Sequence, residues 1–415
     1  MMRSFATVLL VFVVCAAHAQ VPQVLTREAF VRIVLENHPV ARQAALRPQF
    51  GEASVRSARG GFDPVAMAAY DEKQYDDKSY FQLLDAGLKV PTWYGVELFA
   101  GFQENSGDLL DPQATTPTDG LVKVGGQVSV GQGLFIDQRR ATLRKSLIYL
   151  RATEAERQQL LNELLLQALS DHTDWVAAYR TLQVSDNAVE LATIRLEAIR
   201  GSWRGGDRAA IDTLEAYLQY QDRLMRQAQA SLAFRNAGLR LSDHLWDGAQ
   251  RPLELQATVV PDLADLRSPP FTALPDTAIE RAMATHPLLV QATARVDQLD
   301  VDRRLRGEYL KPTLDLKYQW LGDAGAVRTE NGTSLLGEGH QFGAGFKMPI
   351  LLRRERGELT LAKLRVADAG LGLERDRLRI RNRILARIND ITVIADQVQL
   401  GASMVVNNER LLAGE

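Results

Sequence analysis

Downstream of its first twenty residues the chain has no cysteine. Cys15 is the only one in 415 residues. A chain with a single thiol forms no disulfide within itself and no metal site built from several thiolates. The sequence therefore excludes a disulfide-stapled fold and a zinc–thiolate centre.

Long hydrophobic runs are also missing after residue 20. A transmembrane helix needs about 20 consecutive apolar residues, and the sequence holds no such run there. An exported chain without one can still enter a membrane as a closed β-barrel, because the strands then satisfy all backbone hydrogen bonds between themselves. The sequence thus argues against transmembrane helices and leaves a membrane β-barrel open.

The sequence lacks the marks of a nucleic-acid-binding protein and of an enzyme. Its formal net charge is -2, whereas nucleic-acid-binding domains are usually clearly basic. No metal-ligand spacing, G-x-S-x-G or phosphate-binding loop occurs. We therefore expect no catalytic residue, no metal, no cofactor and no nucleic-acid partner. Packing or capping roles are expected for the histidines downstream of residue 20, which are His38, His172, His244, His286 and His340.

What is present begins with an export signal. Arg3 precedes a short apolar run over residues 6–14, and Ala17-His18-Ala19 is a small-x-small site. This order predicts a signal peptide over residues 1–19, cleaved before Gln20. Val14, the residue before Cys15, is not the small residue that lipid attachment needs, so no lipid anchor is expected.

Two landmarks recur at one offset along the chain. A helical pattern ends at Asn37-His38-Pro39 and another at Thr285-His286-Pro287, and 286 − 38 = 248. Pro64 and Pro312 each open an alternating segment, and 312 − 64 = 248. The sequence therefore predicts a duplicated unit of helix followed by strand. Between the halves, prolines exclude long regular elements; they are Pro252, Pro261, Pro269, Pro270 and Pro275.

Several segments alternate apolar and polar residues, which predicts β-strands. They cover residues 122–130, 313–320 and 341–348, and residues 79–90 with 94–102 form an additional hairpin in the first half. In a membrane barrel the apolar set faces lipid, whereas in a soluble antiparallel sheet it covers a core. Alternation alone does not separate these alternatives. The residues predicted to face lipid are Leu314, Leu316, Tyr318, Trp320, Phe342 and Phe346.

Long helices are predicted by heptad spacing. Residues 139–200 contain no proline, and about 60 helical residues make a rod of about 90 Å. A turn over residues 203–208, with Asp207 as a cap, leads into an antiparallel return helix. The heptad series are Leu161, Ala168, Trp175, Leu182, Val189 and Leu196; Ile211, Leu218, Met225, Leu232, Leu239 and Trp246; and Ile384, Ile391, Val398, Val405 and Leu412.

The second half is predicted to stop short of its own turn. From Phe135, which closes a strand, to Gly206 in the turn, the distance is 206 − 135 = 71 residues. Ile350 holds the place of Phe135, and 350 + 71 = 421 lies past Glu415. The interpretation is a chain truncated at its C-terminus, without the fourth long helix.

The predicted organisation has eight segments. It reads: 1–19 signal peptide; 20–60 first short helical segment; 61–135 first strand region with the extra hairpin; 136–247 long α-hairpin; 248–275 proline-rich linker; 276–311 second helical segment; 312–350 second strand region; 351–415 incomplete second α-hairpin.

These features together resemble the outer-membrane efflux protein family, the TolC family, over residues 25–415. The family opens each half with a short helix ending in an Asn-x-Pro-like sequence, matched by Asn37-His38-Pro39 and more weakly by Thr285-His286-Pro287. Residues 133–140 and 348–354 are similar to its step from a strand into a charged helix start. Its helical turn is matched by Gly206, Asp212 and Leu214.

The resemblance implies an α+β membrane protein. Long antiparallel coiled-coil α-hairpins would form a periplasmic tunnel, and strands of a homotrimer would combine in one β-barrel in the Gram-negative outer membrane. The extra hairpin leaves the strand number open. The turn would contact a periplasmic adaptor protein that links to an inner-membrane pump; its residues are Arg204, Gly205, Gly206, Asp207, Arg208 and Asp212.

The resemblance implies a non-enzymatic export duct of a tripartite efflux or type I secretion system. The alternative is a periplasmic coiled-coil scaffold that binds proteins without conducting anything. The alternating strands discriminate between the two, because a scaffold has no need of them.

Overall fold

The computed structural model describes residues 24–266, 276–325 and 339–414. The predicted signal peptide, the end of the linker over residues 267–275 and residues 326–338 lie outside these ranges. The chain is a mixed α+β protein, as predicted. Its elements are β1 (Val24–Leu25), α1 (Arg27–Asn37), α2 (Pro39–Arg59), β2 (Val65–Tyr75), β3 (Lys78–Pro91), β4 (Val96–Ser106), β5 (Leu121–Gly131), α3 (Gln138–Arg204), α4 (Ala210–Ser242), β6 (Val260–Pro261), α5 (Asp276–Thr285), α6 (Pro287–Glu308), β7 (Thr313–Asp323), β8 (Gly339–Lys347) and α7 (Arg353–Gly414).

The chain divides into two compact units. The first combines residues 1–46 with 158–272, and the second combines residues 47–157 with 273–415. The division falls within α2 and α3, so each of these helices passes from one unit to the other.

The first unit is organised around Trp175 on α3, whose side chain is fully buried. Its indole stacks on Phe234 of α4 with ring centroids 6.1 Å apart, and Phe30 of α1 lies in the same core. His172 is also buried and stacks on Phe30 at 5.2 Å. The packing role predicted for this histidine is confirmed.

The described part of the linker forms short secondary-structure elements. β6 pairs in parallel with β1, and a single 3₁₀ turn follows over Leu263–Leu266. Leu253 and Leu255 pack against the core of the first unit. Over residues 248–266 the prolines therefore exclude long regular elements, as predicted.

α3 contacts α4 through its predicted heptad series. α4 does not use its own predicted heptad series for this contact. Trp175 and Leu196 on α3 are buried, whereas Leu218 on α4 is 57% exposed. α4 carries a second heptad series, interrupted by Arg223, in which the alanines Ala216, Ala230 and Ala237 are buried. Alanine lets the helix backbones approach where α3 presents its bulky indole, so this series faces α3. Exposed members of the predicted series are Ile211, Leu218, Met225, Leu232 and Leu239; Trp246 lies beyond the end of α4.

The second unit contains a six-stranded antiparallel sheet with the order β2-β3-β4-β5-β7-β8. β3 and β4, predicted as an additional hairpin, lie between β2 and β5 and are full members of the sheet. β5 pairs with β7, which joins the strands of the two halves of the sequence. β2 and β8 are the two edges.

Helices of the second unit pack beside one another through aliphatic side chains. α6 and α7 share a core that contains Leu289, Leu373 and Ile380. Beyond Ile384 the heptad series of α7 is exposed; its members are Ile391, Val398, Val405 and Leu412. No helix within residues 24–266, 276–325 and 339–414 is long and apolar enough to cross a membrane.

Candidate functional site: a two-faced sheet and a helical turn

The six residues predicted to face lipid lie on one face of the sheet. Leu314, Leu316, Tyr318 and Trp320 alternate along β7, and the register pairs Leu314 with Phe346 and Tyr318 with Phe342. Side chains of paired residues in an antiparallel sheet point to the same side. Tyr318 and Trp320 touch in a T-shaped arrangement with centroids 4.9 Å apart.

The same face continues across the other strands. Val128 of β5 is paired with Leu316, and Val96 of β4 is paired with Val128. Val90 of β3 then stands opposite Leu98 of β4. This apolar face, as we call it, is formed by alternate residues from every strand; among them are Ala66, Ala68, Leu88, Val90, Leu98, Phe102, Val124, Val128, Leu316 and Phe342.

Large side chains of the apolar face are exposed. Phe342 and Phe346 are 61% and 70% accessible, and Trp320 is 40% accessible. Leu88 and Leu98 in the middle of the sheet are exposed as well. Contiguous exposed apolar surface of this kind marks an interaction with a membrane or another protein. A soluble sheet packed on its own core would bury these residues.

The opposite face, called the polar face here, carries ion pairs that run from strand to strand. Glu97 on β4 accepts hydrogen bonds from Lys89 on β3 at 2.6 Å and from Arg139 on α3 at 2.7 Å. Lys123 on β5 donates to Asp85 on β3 at 2.8 Å. Cross-strand pairs of opposite charge stabilise neighbouring strands and keep this face polar over β3, β4 and β5.

The polar face extends to β7 and β8. Ser129 on β5 donates to Asp315 on β7, and Gln319 on β7 donates to Gln341 on β8. The ammonium group of Lys317 lies 4.7 Å from the ring centroid of Phe99, a favourable cation–π distance. Lys123 also donates to Gln103 at 3.0 Å, so the polar face is a connected surface rather than scattered charges.

The turn between α3 and α4 collects the six residues predicted to contact an adaptor. The N–H of Asp207 donates to the carbonyl of Ser202 at 2.9 Å, and that of Gly206 donates to Trp203 at 3.0 Å. Gly206 has a φ of 86°. These two bonds and the left-handed glycine define a Schellman motif, which ends α3 by satisfying its last carbonyls. Arg204, Gly205, Gly206, Asp207, Arg208 and Asp212 all lie in or beside this turn.

Asp207 does not cap the second helix, contrary to the prediction. The N-cap of α4 is Ala209, which makes no side-chain cap hydrogen bond. The backbone N–H of Asp207 is hydrogen-bonded at the C-terminus of α3. Asp207 also lies two residues before the N-cap position of α4. Asp212 instead lies in the first turn of α4, where a carboxylate is favoured by the helix dipole, and it is 3.8 Å from Arg208.

The set of residues predicted to contact an adaptor left out the apolar residues that flank the turn. Trp203 is 47% exposed, and Ile211 and Leu214 are exposed in the first turns of α4. The sequence placed Ile211 in a heptad series and Leu214 in the helical turn of the family that the chain resembles. Their position beside an exposed glycine-containing turn was the signal that could have identified them as surface residues. The turn thus combines charged groups with an apolar rim.

His38, His172, His244 and His286 lie at packing or capping positions, whereas His340 is exposed on β8 and stacks on Tyr318 with ring centroids 5.9 Å apart. His38 and His286 each precede a helix, and each accepts a hydrogen bond at Nδ1 from a backbone N–H, at 3.2 Å and 3.3 Å. His244 contacts Asp171 at 2.8 Å in the first unit. In the part of the chain that the structure describes, no group of three or more His, Cys, Asp or Glu side chains could hold a metal ion.

Comparisons with known proteins give matches at the level of structure. No protein-family model matches the sequence, and no curated protein matches it either. The outer-membrane channel OprN aligns with a TM-score of 0.58 and 15% identity over 92% of this chain and 77% of that one. The outer membrane protein VceC from Vibrio cholerae gives 0.60 and 12% over 92% and 83%. The CmeC outer membrane channel from Campylobacter jejuni gives 0.53 and 15% over 90% and 72%. At these identities the comparison establishes the fold: the chain is folded like the outer-membrane channels OprN, VceC and CmeC.

Proposed function

We propose that this protein is the outer-membrane channel subunit of a tripartite efflux or type I secretion system, and that it is a passive export duct without catalytic activity. The observation that carries the proposal is the two-faced sheet. One face exposes aromatic and aliphatic side chains from all six strands, and the other carries connected ion pairs. Lipid on one side and water on the other would satisfy both faces. The shared fold with outer-membrane channels supports this assignment.

The channel would be a homotrimer in the Gram-negative outer membrane, with its helices in the periplasm. Exposed heptad series on α4 and α7 support association, because Leu218, Leu232, Val398 and Val405 need a covering surface in water. A periplasmic scaffold without a channel would also use such helices. Such a scaffold would not explain why the sheet exposes an apolar face.

The turn between α3 and α4 would contact a periplasmic adaptor protein, which links the channel to an inner-membrane pump. Its surface offers two arginines, Arg204 and Arg208, beside the exposed Trp203 and Leu214. Aromatic residues and arginines are enriched at protein interfaces. A carboxylate-bearing helical surface of the adaptor would complement them.

Two measurements test the proposal: channel conductance in planar bilayers and pull-down of the adaptor protein. The protein is expressed in full from its own gene and reconstituted in planar bilayers, where we expect discrete channels. Separately, Arg204→Glu with Arg208→Glu should abolish adaptor pull-down and leave membrane insertion unchanged. Arg200→Glu, one turn earlier in α3 where Arg200 pairs with Glu197 at 2.9 Å, is the matched control. Membrane insertion without conductance would contradict the channel.

A further inference from the structure

We infer that each copy contributes six strands to the membrane wall, and that three copies close an 18-stranded β-barrel by pairing β8 of one copy with β2 of the next. The inference rests on the proposed homotrimeric channel and specifies its wall. Its basis is the pair of edge strands of the sheet together with the register of the strands.

Among residues 24–266, 276–325 and 339–414, no strand pairs with the outer side of β2 or of β8, and these two edge strands run in opposite directions. Every residue of β2 and of β8 is exposed, whereas β3, β4, β5 and β7 are partly buried. All five neighbouring pairs are antiparallel, so β2 and β8 are antiparallel to each other. A second copy placed beside the first therefore continues the alternation without a break. Six strands are too few for a closed membrane barrel, whose smallest members have eight.

The strand register is compatible with closure into a barrel. Register partners followed across the sheet lead from the first residue of β2 to the third residue of β8. The path is Val65, Lys89, Phe99, Gly125, Gln319 and Gln341. β8 continues to Lys347, so a closure that places Lys347 opposite the partner subunit's Val65 would have a stagger of 347 − 341 = six residues over six strands. One residue per strand is the ratio of an eight-stranded barrel of shear eight, whose strands tilt by about 36°.

The positions of the strand ends favour this closure. The end of β8 and the start of β2 both adjoin helical segments, since a 3₁₀ helix over Gly60–Phe62 precedes β2 and α7 follows β8. Placing Lys347 opposite the partner subunit's Val65 aligns these ends. The same register keeps the faces continuous, because Gly343 then meets the partner subunit's Ala69, and both belong to the polar face.

The width of the barrel follows from the strand count. Eighteen strands about 4.8 Å apart and tilted by about 36° enclose a backbone diameter of roughly 34 Å. Barrels of 16–18 strands leave an aqueous channel. Without β3 and β4, a trimer would have 12 strands and a diameter of roughly 23 Å. The hairpin formed by β3 and β4 therefore increases the backbone diameter of the barrel by about half.

Cysteine cross-linking tests the closure, since the only cysteine of the chain lies in the predicted signal peptide. Ala69→Cys with Gly343→Cys should give covalent dimers and trimers on non-reducing gels after oxidation in the outer membrane. Ala69→Cys with Ala344→Cys is the matched control, because Ala344 lies on the opposite face; it should give monomers. A ladder that stops at dimers would overturn the count of three copies.

Deletion of residues 76–106 tests whether the hairpin formed by β3 and β4 is part of the barrel wall. The cut joins the end of β2 to the loop that precedes β5, at the same end of the sheet. The Ala69/Gly343 cross-link should persist, and the largest neutral polymer that enters from the outer face should shrink in radius by about a third or more, because the side chains lining the wall occupy the same depth in both barrels. An unchanged polymer limit would overturn the 18-stranded wall. Outer-membrane trimers that never cross-link would overturn the closure alone, whereas loss of membrane assembly in the cysteine-free parent would overturn the channel itself.

Discussion

His38 and His286 occupy equivalent positions in the two halves of the chain. Each lies between a shorter and a longer helix and is followed by proline, and the Nδ1 of each accepts the backbone N–H two residues ahead, from Val40 and Leu288. The two residues share the offset of the duplicated unit. Capping requires a free lone pair on Nδ1, so the neutral imidazole is the form that fits both junctions.

Burial lowers the pKa of both histidines. At His38 a second cause is the nearby His244 ring, and a hydrogen bond with the Asp243 backbone opposes the shift; at His286 the second cause is Arg383. The unfolded chain therefore binds protons at a higher pH than the folded one. Stability contributed by these groups is full above the ordinary histidine pKa of about 6.5 and declines as the pH falls through it.

We predict that His38→Asn reduces the acid sensitivity of the folded protein. Asparagine keeps a neutral acceptor for the Val40 N–H but does not titrate. Melting of the purified protein at pH 8 should change little, while the loss of stability between pH 7 and 5.5 should become smaller. One proton accounts for at most about 1.4 kcal/mol per pH unit. An identical pH slope in the variant would show that His38 is not a source of the acid sensitivity.

Gly206 is predicted to be the residue on which the helical turn depends. Its left-handed φ of 86° costs an L-residue about 1–2 kcal/mol, so Gly206→Ala should lower the unfolding free energy by about that amount. Gly205→Ala is the control, because no left-handed φ is present there and an added Cβ would come no closer than 3.5 Å to its nearest neighbours, an ordinary van der Waals contact. Chemical denaturation of the two variants compares them directly. Equal losses would mean that the Schellman motif does not determine the turn.

The sequence predicted the elements well where one physical signal dominated. Alternation found β7, since Leu314 to Trp320 have no competing pattern, and the missing prolines found α3. The α4 seam was wrong because two heptad series coexist on that helix, and only the packing against Trp175 decides which one is inward. The hairpin formed by β3 and β4 joins the sheet through cross-strand pairs such as Gly87 with Gly101. A single sequence contains no pattern that identifies such pairs.

The apolar face gives the next prediction. Leu316 lies on it and Lys317, the next residue, lies on the polar face. Leu316→Arg would place a charge in lipid at a cost of about 2–4 kcal/mol at mid-depth, so the amount of trypsin-resistant protein in the outer membrane should fall strongly. Lys317→Glu should assemble at near the normal level. Normal assembly of the first and failure of the second would invert the assignment of the faces.

The two heptad series of α4 should separate folding from assembly. Ala237 is buried against α3 and belongs to the core of Trp175. Ala237→Leu adds volume to a packed interior and should lower the unfolding free energy by about 1–3 kcal/mol. Leu218 is exposed in the single chain, so Leu218→Ala should leave the melting of the dissociated subunit nearly unchanged. In the assembled protein Leu218 would lie between copies, and its truncation should increase the fraction of monomer seen by size-exclusion chromatography with light scattering. Strong destabilisation of the isolated subunit by Leu218→Ala would mean that the heptad series containing Leu218 packs within the chain. That series would then no longer support a trimer.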